Sequence, residues 1–202
     1  MKVIGITGGI GSGKSLVLNI LKDKYGALLI DTDGIAKQQM EVGGVSYHGV
    51  VEHFGYDILQ EDGSIDRGKL AKIVFSDREK LQKLNELTHP NVIQVVRRQI
   101  KEARKKQSIP FMVIETALII ESGLDSVCDV VWYVHATEEN RRTRLKINRN
   151  YSDEKIDSIF ASQSKEEAFF KRYPLVIYNN GDISELEKQV EQLMVKMLDD
   201  RV

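Results

Sequence analysis

The sequence predicts an α/β fold in which a parallel sheet is covered by helices on both faces. Five short apolar runs have the length of buried strands, and longer segments with helical spacing separate them. Parallel neighbours need crossover connections, which these intervening segments are long enough to supply. The chain has 202 residues, 42% of them hydrophobic, which suffices for one sizeable core. The predicted strands are residues 3–6, 27–30, 111–114, 130–134 and 175–178.

The helical segments differ in what they bury. The C-terminal segment carries one apolar stripe, which predicts a helix packed on the sheet: Ile183, Leu186, Val190, Leu193, Met194, Met197 and Leu198. Ser76 with Glu79 and Ser184 with Glu187 have capping-box spacing and predict two helix starts.

Two intervals are predicted to be insertions into the core. Residues 42–107 contain no comparable strand candidate and are helical in pattern, with a break expected at Pro90. Residues 140–172 are dense in charge with scattered apolar positions, a composition typical of a mobile cover. Residues 1–41, 108–139 and 173–202 remain as the core.

Composition restricts the classes of partner. Lys and Arg number 29 against 30 Asp and Glu, so the net charge of -1 gives no global field to recruit nucleic acid or an anionic membrane. A lone Cys128 excludes an intramolecular disulfide framework and a Cys-rich metal site. No apolar run approaches the length of a membrane helix. We expect a cytoplasmic protein without nucleic-acid or membrane partners, either a monomer or a weak homo-oligomer.

A phosphate-binding motif follows the first predicted strand. Gly8-Gly9-Ile10-Gly11-Ser12-Gly13-Lys14-Ser15 fits G-x-x-x-x-G-K-[ST] and precedes a helical pattern beginning near Lys14. Its glycines let backbone N–H groups point inward, Lys14 reaches the outer phosphates and Ser15 can ligate magnesium. The alternative is a glycine-rich turn that binds nothing. The predicted nucleotide-binding residues are Gly9, Gly11, Ser12, Gly13, Lys14, Ser15 and Leu16.

A P-loop alone does not separate kinases from GTPases or motor ATPases. No N-K-x-D guanine-reading segment is present, and the second predicted strand leads into Asp31-Thr32-Asp33. If this strand lies near the first, both carboxylates lie at the ligand-binding edge of the sheet, and one can accept a proton from an acceptor hydroxyl. The alternative makes Asp33 the N-cap of a helix over residues 34–40 and Asp31 a solvated strand end.

Six segments of the chain together carry a family resemblance: Thr7 to Ser15, Asp31-Thr32-Asp33-Gly34-Ile35-Ala36, His89-Pro90, Glu121-Ser122-Gly123-Leu124, Gln163 and Asn179-Asn180-Gly181. In order and spacing, from the first strand to the final helix, they resemble the dephospho-coenzyme A kinase family. The resemblance implies a three-layer P-loop kinase with a parallel sheet, a helical substrate-binding insertion at 42–107 and a helical lid at 140–172. It also implies transfer of the ATP γ-phosphate to the 3′-hydroxyl of the dephospho-coenzyme A ribose.

The same resemblance assigns roles to individual residues. Asp33 is implied as the base, with Lys14 and Arg144 as the other catalytic residues. Asn179 joins the nucleotide site, and Glu115 with Ser15 is placed to hold Mg²⁺. The residues implied to face the acceptor substrate are Thr7, Asp31, Arg67 and His89.

The chain departs from the family pattern in two places. A Pro-Leu-Leu turn is replaced by Ala117-Leu118-Ile119. Two lid arginines four residues apart are expected, but Arg144 is followed at that spacing by Asn148, with Arg149 one position later. A fifth residue swings away from the helix face that a fourth residue shares, so the role of Arg149 stays open.

Alternatives remain for the site and for the function. The cluster Arg141, Arg142, Arg144 and Arg149 can be a solvated helix face, and His89 can simply end a helix before Pro90. A different P-loop nucleotide or small-molecule kinase would share the same core. A non-catalytic ATP-binding module would make the acidic pair incidental.

Overall fold

A computed structural model of the chain describes residues 1–106, 109–116 and 119–199. Five strands form one sheet in which every pairing is parallel, in the order β2-β3-β1-β4-β5. All five predicted runs are strands, so the predicted parallel α/β fold is confirmed. The strands are β1 (Lys2–Thr7), β2 (Leu28–Asp31), β3 (Phe111–Glu115), β4 (Val130–His135) and β5 (Leu175–Tyr178).

Helices connect the strands and cover both faces of the sheet. Short 3₁₀ turns lie at Tyr56–Ile58 and Leu124–Val127. The α-helices of the described residues are α1 (Lys14–Tyr25), α2 (Thr32–Gln39), α3 (Tyr47–Phe54), α4 (Arg67–Phe75), α5 (Arg78–Lys106), α6 (Ile119–Ser122), α7 (Glu138–Arg149), α8 (Asp153–Ser162), α9 (Glu166–Arg172) and α10 (Ile183–Asp199). None of these helices is both long enough and apolar enough to cross a bilayer.

The two faces of the sheet carry separate hydrophobic clusters because successive side chains of a strand point to opposite sides. Ile4 and Ile6 pack with α1 and α10, whereas Val3 packs with the C-terminal half of α5. Trp132 and its neighbour Tyr133 divide in the same way. Strands buried on both faces need continuous apolar runs, which is why the sequence pattern identified them.

The C-terminal stripe is only partly buried. Leu186, Val190, Met194 and Met197 belong to the sheet core, but Ile183 and Leu198 are exposed. The capping-box assignments are wrong by one or two residues. Asp77 accepts the amide N–H groups of the first turn of α5, and Asp182 caps α10.

Helix α5 does not break at Pro90, so that prediction is wrong. The ring removes one N–H donor, but nearby side chains supply donors to other carbonyls of the same turns. Thr88 Oγ1 donates to Leu84 O at 2.9 Å and Asn91 Nδ2 donates to Leu87 O at 3.2 Å. Packing on both sides of the proline then holds the helix together.

Helix α5 is shared between two packing units. Its N-terminal half borders a third cluster formed by residues of α3, α4 and the Leu59–Ile65 bridge, and its C-terminal half packs on the sheet. Residues 42–107 therefore contain a small core of their own, joined to the main core by one long helix. The boundaries proposed at 42–107 and 140–172 stay predictions. Position 140 falls in the first turn of α7, and positions 107, 108 and 200–202 lie outside the described residues.

Candidate active site

The phosphate-binding motif lies at the carboxyl end of β1. Gly11 and Gly13 have φ angles of 78° and 93°, which favour glycine. A Cβ at Gly13 would overlap the Asn179 amide. No side chain caps α1, and the Leu16 N–H donates to Gly13 O at 3.0 Å, so the amides of Lys14 and Ser15 are those of the first turn that remain available to an anion. Ser12 Oγ is buried, and it has no hydrogen-bond partner among the described residues. This loop therefore fits a polyphosphate.

The ammonium group of Lys14 lies among charged side chains of both signs. Its Nζ donates to Gly8 O at 2.9 Å and to Gly9 O at 3.3 Å. Burial lowers the pKa of Lys14, and the cations Arg141 and Arg149 lower this pKa further, whereas Glu115 and Asp33 oppose the shift. Four charged side chains from three other segments of the chain thus act on one ammonium group. Ser15 and Leu16 follow in the exposed first turn of α1.

The predicted carboxylates meet at the same edge of the sheet, although β3 separates β2 from β1. Asp31 and Ile6 are both register partners of Glu115, the last residue of β3. Burial raises the pKa of Glu115; Lys14 lowers this pKa, and Asp33 and Asp31 raise it. The intervening strand therefore contributes a carboxylate to the site instead of removing β2 from it.

The N-cap assignment at α2 is a correction. Asp31, not Asp33, caps this helix, and its Oδ1 accepts the Gly34 N–H at 2.8 Å. The helix begins at Thr32, whose Oγ1 donates to Glu115 O at 2.8 Å. Asp33 therefore lies in the first turn of a helix and not at the end of the strand. It is exposed, and its carboxylate has no capping role to perform.

Arg144 and Asn179 donate hydrogen bonds to main-chain carbonyls of the phosphate loop. Asn179 is buried and its Nδ2 donates to Ser12 O at 2.8 Å. Arg144 donates through Nη2 to Asn179 O at 2.9 Å and through Nη1 to the carbonyls of Gly11 and Ser12, both at 3.4 Å. Helix α7 of the proposed lid thus lies directly against the P-loop.

Sequence reasoning assigned no role to Arg141, which makes the densest set of contacts in this region. Its Nε donates to Ile10 O at 2.9 Å and its Nη2 to Gln163 Oε1 at 2.9 Å. Gln163 Oε1 also accepts the Ile10 N–H at 3.2 Å, and Glu166 pairs with Arg141 at 3.3 Å. These contacts hold the tip of the P-loop against α7 and the residues that follow it.

A sequence signal for Arg141 did exist. It lies four residues before Leu145, a buried apolar residue that marks the inward face of α7. Arg142 lies on the other face, where it pairs with Glu138, Asp153 and Asp157. The solvated-face alternative is therefore wrong for Arg141, whereas Arg142 is half-buried among its ion-pair partners.

Three further predicted residues lie on β1, α4 and α5. Arg67 begins α4 and lines a separate cavity of about 400 Å³ together with Met40 and Leu70. His89 lies within α5, beside Pro90. Thr7 Oγ1 is buried beneath the P-loop and has no hydrogen-bond partner among the described residues. Of the departures from the family pattern, Ala117 and Leu118 lie outside the described residues.

Comparisons with known proteins agree on one family. The dephospho-CoA kinase family model matches residues 2–185. A dephospho-CoA kinase of Carboxydothermus hydrogenoformans is 40% identical over 197 residues, covering 97% of this chain and 94% of that protein.

Two solved structures are similar over nearly the whole chain. The Thermus thermophilus protein TT1252 has a TM-score of 0.77 and 30% identity, covering 96% of this chain and 97% of its own. A dephospho-CoA kinase from Campylobacter jejuni has a TM-score of 0.68 at 22% identity, covering 99% of this chain and 98% of its own. The second match supports the fold alone.

Proposed function

Because the chain belongs to the dephospho-CoA kinase family, we propose that it phosphorylates dephospho-CoA with ATP at the ribose 3′-hydroxyl, in the synthesis of coenzyme A. The observation that carries this proposal is the convergence of Lys14, Asp33 and Glu115 at one edge of the sheet, beside an uncapped helix N-terminus. Such an edge is where open α/β sheets bind their ligands.

The chain's own residues divide the work of binding. The Ile10 and Ser12 N–H groups donate to Gln163 Oε1 and Gly9 O, so the amides of Gly9, Gly11 and Gly13 hold the phosphates of ATP, and Lys14 turns from the Gly8 and Gly9 carbonyls toward the outer phosphates. Ser15 and Leu16 lie in the first turn of α1, whose dipole favours the anion. Asn179 and Arg144 stabilise the conformation of the loop through hydrogen bonds to its carbonyl oxygens.

Asp33 acts as the general base. It accepts the proton of the 3′-hydroxyl while that oxygen forms a bond to the γ-phosphorus and the bond from phosphorus to the ADP oxygen breaks. Thr7, Asp31, Arg67 and His89 lie toward the acceptor in this proposal. Asp31 contributes there by fixing the first turn of α2, so that Asp33 is presented to the site.

Ser15 and Glu115 are the residues that would hold Mg²⁺. No cluster of three or more His, Cys, Asp or Glu side chains that could bind a metal alone is found among the described residues. That fits Mg²⁺, which proteins bind through one or two carboxylates together with substrate phosphates. When bound, the ion neutralises charge on the phosphates.

The test is a coupled assay of ADP release against a panel of acceptors. Dephospho-CoA is expected to support turnover, whereas AMP, UMP, shikimate and gluconate are not. Turnover with one of these instead would favour another P-loop kinase. ATP binding without transfer to any acceptor in a single turnover would favour the non-catalytic ATP-binding module.

We also propose that the protein is a cytoplasmic monomer or weak homo-oligomer without nucleic-acid partners.

Separate replacement of Arg144 and Arg149 by lysine is expected to affect different kinetic constants. Arg144 contacts Asn179 and the Ser12 carbonyl with a guanidinium fork that lysine cannot reproduce. We expect Arg144→Lys to raise the KM for ATP by roughly tenfold or more, the value of a lost charged hydrogen bond. Arg149 lies close enough to Lys14 for its charge to lower the pKa of that ammonium group; Arg149→Lys keeps the charge but loses the guanidinium fork for the transferred phosphoryl group, so it should mainly lower kcat. Steady-state kinetics for both variants measure the split, and Arg98→Lys on α5 is the control.

The split also decides between two assignments of the lid arginines. A fall in kcat for Arg144→Lys, with Arg149→Lys unchanged, would make Arg144 the catalytic lid residue and Arg149 a solvated one. Unchanged constants for both variants would contradict any role for this pair in the reaction.

A further inference from the structure

A second cavity lies at the opposite end of the sheet from the P-loop. It encloses about 580 Å³ between the C-terminal half of α5 and the segment from Ser126 to Asp129. Asp129 fixes its position, because its Oδ2 accepts the Val3 N–H at 2.7 Å and its own N–H donates to Val3 O at 2.8 Å. Val3 lies near the start of β1, whereas the P-loop follows the other end, roughly 13 Å further along the strand.

Four cations line this cavity from one face of α5. Arg97, Lys101, Arg104 and Lys105 recur at the spacing of successive helical turns, which places their side chains side by side. Asp129 is the one carboxylate that lines the cavity within the described residues, and it pairs with Arg104 at 3.7 Å. In the described part of the chain, no ion pair or hydrogen bond of the other three side chains is found. The positive charge is therefore local in a chain whose net charge is -1.

The floor of the cavity is apolar. Ile100 is buried there, and Val127 and Cys128 complete the wall opposite α5. The favourable effect of cations near a helix C-terminus accounts for Arg104 and Lys105 in the last turn. It does not account for Arg97 and Lys101, which lie one to two turns earlier and border the same recess. The volume falls within the range of small-molecule sites.

We propose that this cavity binds a small molecule that carries several phosphate groups and an apolar or aromatic body. The four cations neutralise the phosphates, and the body lies on Ile100, Val127 and Cys128. This assignment is independent of the reaction at the P-loop, since none of these residues belongs to that site.

Cys128 is a built-in reporter of occupancy. It is the single cysteine of the chain and lines the cavity, so its alkylation reports on this place alone. Burial, with Asp125 and Asp129 nearby, raises the pKa of its thiol to about 12, which makes the reaction slow enough to follow. Alkylation by iodoacetamide at alkaline pH, measured by mass spectrometry of the peptide that contains Cys128, gives the rate at this thiol apart from reaction at the lysine amines.

The experiment compares this rate with and without two probes, ATP and inorganic tripolyphosphate, at matched ionic strength. The cavity variant is Arg97→Ala with Lys101→Ala. The matched control is Arg98→Ala with Lys106→Ala, which removes two charges from the same helix outside the cavity. All three proteins should keep kinase activity, which shows that each is folded.

Alkylation is expected to slow about tenfold in the wild type and in the control when ATP is present at ten times its Kd for the cavity. The reason is that the alkylation rate follows the fraction of molecules in which the cavity is unoccupied. The cavity variant should lose this protection. Equal protection in both variants would assign the effect to the P-loop and overturn the proposal, as would protection by sodium chloride alone. Tripolyphosphate should protect more weakly than ATP at equal concentration. Protection as strong as that of ATP would overturn the role given to the apolar floor.

Discussion

Replacing Lys14 with alanine is expected to reduce turnover of ATP by at least about a hundredfold, the cost of removing one group that stabilises developing charge. The ammonium group lies within the field of Glu115 and Asp33, and it already meets two loop carbonyls. Moving it from these carbonyls to phosphate oxygens exchanges neutral acceptors for charged ones, which form stronger hydrogen bonds. Steady-state kinetics of ADP release measure the loss.

Lys22→Ala is the matched control for this prediction. Lys22 is an exposed cation on the same helix, and its replacement removes one charge without touching the loop. Far-UV circular dichroism of both variants should match the wild type. Undiminished turnover in Lys14→Ala would contradict nucleotide binding by this loop, whatever the family similarity implies.

The parts of the fold that could be predicted from the sequence are those determined by local pattern. Strands buried on both faces must be apolar throughout, so residues 111–114 and 130–134 stand out from their surroundings. The order of the strands has no such signal, because it depends on which edges pair in three dimensions. The continuity of α5 through Pro90 likewise depends on packing with two separate clusters.

The site divides along the same line. The P-loop is one contiguous segment, and its glycine conformations follow from the residues themselves. The sequence indicates contacts between distant segments only in part. Arg141 meets Ile10 across 131 positions of the chain, and nothing local distinguishes its guanidinium from that of Arg142 except the buried Leu145 four residues later. The sequence does not reveal that Asp31, and not Asp33, caps α2, because both carboxylates lie close enough along the chain to the start of this helix.

Because Asp31 is the residue that caps α2, the prediction for Asp33 becomes more specific. With Asp31 accepting the Gly34 N–H, an Asp33→Asn substitution does not remove the helix cap. It keeps the shape of the side chain and removes its basicity. We expect kcat to fall by about a hundredfold or more, the usual contribution of a general base, with little change in the KM for ATP. Measurement of kcat with saturating dephospho-CoA and Mg²⁺ tests this.

Asp23→Asn provides the matched comparison, since it removes one exposed carboxylate from α1, outside the site. If Asp33 instead acted by holding Mg²⁺, raising the Mg²⁺ concentration should restore much of the lost rate, because weaker binding is offset by mass action. A base cannot be restored in this way. A kcat for Asp33→Asn equal to that of the wild type would leave the carboxylate no part in proton transfer, and the acceptor hydroxyl would then have to lose its proton elsewhere.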